Sequence, residues 1–117
     1  MNLETIREYC LKKKGVTEGL PFGEETLVFK VMSKMFLLTN FNPPCSINVK
    51  CDPELAVELR ERYEEVTPGF HMSKIHWNTV DVEGTIPPKK IFEMIDHSYD
   101  LVVKRLKKKE KEDLDKL

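Results

Sequence analysis

The stretch TLVFKVMSKMFLLTNFNPPCSINVKCDPE, Thr26 to Glu54, decides the fold. From Thr26 to Val31 the residues alternate, with Leu27, Phe29 and Val31 on one side and Thr26, Val28 and Lys30 on the other. Met35 to Asn40 is a second run, and Ser33 and Lys34 between them leave room only for a tight hairpin. Asn42, Pro43 and Pro44 make Phe41 to Cys45 a loop, after which Ser46 to Cys51 alternates again through Ile47, Val49 and Cys51. Successive short strands of this kind predict an antiparallel meander with one face packed and one face wet. Asp52-Pro53-Glu54 then starts a helix. Asp at the N-cap accepts backbone N–H bonds, Pro at the first helical position gives up no bond, and Glu in the first turn suits the dipole.

That helix is expected to bury Leu55, Ala56, Leu59 and Tyr63, and Thr67-Pro68-Gly69 stops it. Upstream, Leu3, Ile6, Tyr9, Cys10 and Lys13 recur at helical spacing, with Asn2 as N-cap and Gly15 in the left-handed capping position. Val16 to Glu25, punctuated by Gly19, Pro21 and Gly23, reads as a connection. Downstream, Phe70 to Lys74 is irregular, Trp77 to Val82 is a strand, and Glu83-Gly84 is a turn. Pro87-Pro88 opens a last helix with the stripe Phe92, Ile95, Tyr99, Val102 and Leu106. The predicted architecture is α+β, an antiparallel sheet of about four to six strands backed on one face by two or three helices. Residues 1–106 form the expected single domain, and 107–117 a charged C-terminal extension that frays.

The composition bounds the function. The chain has 117 residues, 19 Lys+Arg against 20 Asp+Glu, a formal net charge of −1 and 40% hydrophobic residues. This excludes a polybasic protein and a disordered one. No apolar run approaches the roughly 20 residues that span a bilayer. Glu4, Arg7 and Glu8 interrupt the first segment, so it does not read as a signal peptide. Cys10, Cys45 and Cys51 are odd in number and lack metal spacing, and are expected to be reduced thiols in the cytoplasm.

Few residues suggest catalysis. Cys51, just before a helix N-terminus, is the best thiol candidate, with packing at a strand end as its plainer role. His71 and His76 lack further ligands at metal spacing, Glu24-Glu25 and Glu64-Glu65 point apart as neighbours, and the glycines are too scattered for a phosphate loop. The richest segment is His71 to Thr79, with two imidazoles, a lysine, the only Trp and Asn78. Lys74 and His76 are placed to meet phosphates and Asn78 to hydrogen-bond, while Trp77 is assigned to the core rather than to stacking on a ligand. The chain is basic from His71 to Lys109 and acidic from Pro21 to Phe70.

Six motifs in order resemble the MmcQ/YjbR family: Pro21 to Val31, Lys34 to Phe36, Val49 to Glu54, Thr67 to Met72 with Lys74, His76 to Val80, and His97 to Val102. The resemblance implies a small bacterial cytoplasmic protein with the CyaY-like fold, described as a double-wing DNA-binding motif. The turn Met32-Ser33-Lys34, where a Gly-rich turn is common, departs from the pattern. Frataxin-type proteins share that fold and bind iron on an acidic helix; the first helix here ends in Lys12, Lys13 and Lys14, so iron binding is not carried over. The expected function is non-enzymatic DNA binding by phosphate contact through Lys30, Lys34, Lys50, Lys74, His76 and Asn78, without cofactor or metal. Two rivals stand beside it. One is a protein- or small-ligand-binding module that uses His71 to Asn78 as a wall, with Phe22 and Trp77 as apolar surface. The other is an enzyme built on Cys51 or His76.

Overall fold

The structure is a computed structural model that describes residues 1–117. Strands β1 (Val16–Gly19), β2 (Thr26–Val31), β3 (Lys34–Asn40), β4 (Ser46–Lys50), β5 (Val66–Pro68) and β6 (Trp77–Asp81) form one sheet in the order β1-β2-β3-β4-β6-β5. Every pairing is antiparallel. Helices α1 (Leu3–Leu11), α2 (Pro53–Arg62), α3 (Pro88–Lys104) and α4 (Lys108–Asp115) complete the α+β fold. No helix is long and apolar enough to cross a membrane.

The main core lies between the sheet and α1 and α3. It joins Leu27, Phe29 and Val31 of β2 and Ile47 and Val49 of β4 to Ile6, Cys10, Ile91, Ile95 and Val102. The opposite face is covered only by a small cluster of Val28, Leu38 and Trp77, with Met35 and Met72 beside it. Asn2 and Asp52 cap their helices as expected, accepting from Thr5 N at 2.9 Å and from Glu54 N at 3.2 Å. Gly15 takes φ 74° where a Cβ would run into the Leu114 side chain.

Five sequence expectations change. Val16–Gly19 is not a plain connection but an edge strand, held by pairing with β2 and by a two-pronged Arg7–Glu18 ion pair; it is too short to show alternation. Val66–Pro68 is likewise an edge strand, where Pro68 gives up no ladder bond that matters. The hairpin turn is Met32-Ser33, with φ of 48° and 69°, so β3 begins at Lys34. Two residues at positive φ fit a twisted two-residue hairpin, but without Asn-Gly or Gly-Gly the position is hard to read. The tail does not fray: α4 buries Leu114 in the main core, and Lys14 Nζ donates to Asp115 O at 3.0 Å. Of the apolar residues assigned to α2, only Ala56 is buried; Leu55, Leu59 and Tyr63 are half-buried along a cleft beside α3.

One polar group ties the layers together. The register jumps between Phe29 and Lys30, leaving Phe36 as an extra residue in β3, so Phe36 and Leu37 are both buried. β3 and β4 pair from Thr39–Ile47 to Leu37–Val49, and there the pairing stops, although the same register would next set Phe36 opposite Lys50. There the hydroxyl of Ser98, from α3, sits in the ladder. Its Oγ donates to Phe36 O at 2.5 Å and accepts from Lys50 N at 2.8 Å. Ser98→Ala should leave a buried donor and a buried acceptor unpaired and lower unfolding stability by about 2–4 kcal/mol in urea titration. A loss below about 0.5 kcal/mol would show that the strands close the gap without the hydroxyl.

Candidate functional site

Side-chain alternation and register divide the open face into rows. Lys30, Met35, Lys50 and Trp77 lie near the β2–β3 turn. Val28, Leu38, Asn48 and Thr79 form the next row. Thr26, Asn40, Ser46 and Asp81 lie toward the far end.

At the near end, where Ser98 bridges β3 and β4, Lys30, Lys34 and Lys50 surround one concavity with Ser33, Met35, Val102 and Arg105. The sequence-predicted Lys30, Lys34 and Lys50 are thus brought together. Arg105, just past the end of α3, joins them although its sequence position gave no sign of it. No acidic residue lines this concavity. The ion pairs of the chain, Arg7–Glu18, Lys13–Asp96, Glu58–Arg62 and Lys90–Glu93, include none of these cations. Burial, and then the neighbouring Arg105 charge, push the Lys50 pKa below its usual 10.5.

The other expected contacts lie elsewhere. Asn78, expected to reach a ligand, is 1% exposed. Its Oδ1 accepts from Arg60 Nε at 2.7 Å and its Nδ2 donates to Ala56 O at 3.4 Å, which fastens α2 to β6. The cause is strand phase: Trp77 faces the open side, so Asn78 faces the helices. Trp77 is buried as expected, though in the smaller cluster on the opposite face from the main core. Lys74 is exposed, but its Nζ donates to Gly69 O at 3.1 Å, and Arg60 also bonds its carbonyl. His76 is half-buried, and its carbonyl accepts from Cys51 N at 2.8 Å. Neither Lys74 nor His76 joins the cationic concavity.

A second concavity occupies the far end of the open face. Phe22, in the β1–β2 loop, and Phe70 and His71, in the β5–β6 loop, line it over a floor that includes Asn40, Ser46, Asn48 and Thr79. Phe22 and Phe70 are 63% and 64% exposed. His71 adopts φ 60° and packs its ring on Phe70 at 4.0 Å between centroids. Phe70 was not singled out from the sequence; a large apolar residue after Pro68-Gly69 in an irregular segment was the available signal.

The third region is the cleft between α2 and α3, with Leu55, Leu59, Val80 and Met94 around Cys51 and His97. His97 Nε2 accepts from Asp52 N at 3.1 Å. Burial first, and Asp52 second, push the Cys51 thiol up to about 11 against the opposing pull of Arg60. Burial likewise lifts Cys10 to about 12. A thiol so raised is protonated at neutral pH and is a poor nucleophile. The native protein should therefore react slowly with an alkylating reagent at neutral pH, and all three cysteines should react after denaturation. Rapid alkylation of Cys51 in the folded protein would return it to the list of nucleophiles.

The chain belongs to the YjbR family, whose sequence profile matches residues 11–101. It is 31% identical over 108 residues to YjbR of Escherichia coli, covering 91% of each protein. The fold is similar to the crystal structure of the Deinococcus radiodurans protein DR2400, of domain family DUF419. The TM-score is 0.90 and the identity 38%, over 97% of this chain and 87% of that one. A Pseudomonas syringae protein of known structure is also similar, with a TM-score of 0.76 and 28% identity over 86% of this chain and 98% of that one.

Proposed function

We propose that this YjbR-family chain binds DNA without catalysis, and that Lys30, Lys34, Lys50 and Arg105 meet the phosphate backbone. The observation that carries the reading is the gathering of these cations around one concavity with no acidic side chain among its lining residues and no ion pair to any of them. Like charges held together disfavour one another, and an anion relieves them. Burial first, and the nearby Arg105 charge second, hold the Lys50 pKa below its usual value. The folded state holds this proton less tightly than the unfolded chain does. Its contribution to stability is therefore unfavourable at neutral pH and improves as pH rises through the window below 10.5.

The β2–β3 hairpin that carries Lys30 and Lys34 serves as the wing, and Ser98 holds Lys50 and α3 beside it. With a net charge of −1 over the whole chain, affinity comes from this local cluster rather than from overall attraction. Phosphate contact carries no base information, so little sequence preference is expected. Three buried, free thiols suit the reducing cytoplasm.

Neutralising about four phosphates gives a slope of log Kobs against log salt of about −3.6, a fall on the order of a hundredfold between 50 and 200 mM. Lys34→Gln and Arg105→Gln should each make that slope shallower by about one, with unchanged thermal stability, while Lys74→Gln should leave it alone. Fluorescence anisotropy with a labelled oligonucleotide checks this. Slopes that do not respond to Lys34 or Arg105 would remove the proposed phosphate site.

A further inference from the structure

We infer that the open sheet face is built for single-stranded nucleic acid, with phosphates at the cationic end and unpaired bases at the Phe22–Phe70 end. This rests on the phosphate reading above and adds the form of the ligand.

Both concavities are lined by open-face residues, Lys30, Met35 and Lys50 in the near one and Thr26, Leu38, Asn48 and Thr79 in the far one, and the near one reaches past the end of the sheet to Val102 and Arg105. On β2 alone, Lys30 and Thr26 lie four residues apart on the same side, roughly 13 Å along the strand. The far concavity differs in kind from the near one, because none of its lining residues is Lys, Arg, Asp or Glu. It combines two exposed aromatic rings with a floor of amides and hydroxyls. Phe22 and Phe70 come from loops on opposite flanks of the sheet, one beside β2 and the other beside β6. An uncharged planar group with hydrogen-bonding edges suits such a place, and a nucleobase is one. In a duplex the faces of the bases are already stacked, and only groove edges remain to be read. In a single strand the faces are free, and exposed aromatic side chains are what they stack on.

The floor supplies a defined donor. Thr79 Oγ1 accepts from Phe70 N at 2.9 Å, so its own proton goes to Asn48 Oδ1, 2.5 Å away. That orients the Asn48 amide, whose Nδ2 has no protein partner and remains available to a base carbonyl. The same chain of bonds sets the loop that carries Phe70. His71, at φ 60°, holds a conformation that non-glycine side chains disfavour, and its ring backs Phe70. The loop is thus held with Phe70 outward, although that leaves a large apolar ring in water.

The experiment compares a labelled oligothymidylate of about 15 nucleotides, longer than a small binding face, with a duplex of equal length by anisotropy at low and high salt. Oligothymidylate should bind at least about tenfold more tightly than the duplex. Phe22→Ala and Phe70→Ala should each weaken oligothymidylate binding on the order of tenfold while leaving duplex binding unchanged. Both rings are exposed, so thermal stability should hold. Asn48→Asp, which keeps the shape but puts an anion in the neutral floor, should weaken oligothymidylate binding in the same direction. Lys34→Gln should weaken both probes. Equal, salt-sensitive binding of the two probes with no response to either Phe overturns this inference and leaves the phosphate reading standing. No salt-sensitive binding of either probe overturns both. Phe-dependent binding that ignores salt also overturns it, because a strand must bring its phosphates.

Discussion

The Ser98 hydroxyl, set between the carbonyl of Phe36 and the amide of Lys50, is the contact on which the arrangement of this molecule depends. Backbone groups in a buried ladder need partners. Here the extra residue in β3 spoils the regular pairing, and one serine from α3 restores it. The contact locks α3 onto the sheet at the middle of its apolar face, between Ile95 and Val102. It also bridges β3 and β4 at the end where Lys50 emerges. Fold and candidate site meet at Lys50, whose amide the hydroxyl holds and whose side chain lines the concavity with the other cations.

The two faces of the sheet have different work. The helix side holds nearly all of the apolar core, tied at its margins by polar contacts such as Tyr9 with Asp96 and Arg60 with Asn78. The open side has only a small patch around Trp77, with charge at one end and exposed aromatic rings at the other. Solvent screens the rim of the cationic cluster, so a stable core can tolerate it. Such a cluster gains from an anionic partner and gives little to the fold.

Local chemistry made much of this legible. Asp52-Pro53-Glu54, the stripe of α3 and the alternation in β2 and β4 each act through near neighbours, and each stands where expected. What escaped depends on distant partners. β1 and β5 exist because a neighbour's edge accepts them. The α4 tail holds because Gly15 leaves space for Leu114. Alternation identified β6 but not its phase: Trp77 is apolar enough for either side, and the partner that draws Asn78 inward is Arg60, on another element. Three of the six expected contact residues, Lys30, Lys34 and Lys50, converge on one site; Arg105 completes it only through the packing of α3. Ser98 did leave a sign, as a lone hydroxyl in the apolar stripe of α3.

The central claim is that the ligand lies along the open face and over its cationic end. Mapping amide chemical-shift changes during titration of the isotope-labelled protein with oligothymidylate at low salt tests this directly. The account predicts changes at Lys30, Lys34, Lys50 and Arg105, and at Phe22, Asn48 and Phe70 to Met72. Changes confined to the α2–α3 cleft, at Leu55, Leu59, Met94 and His97, would contradict it.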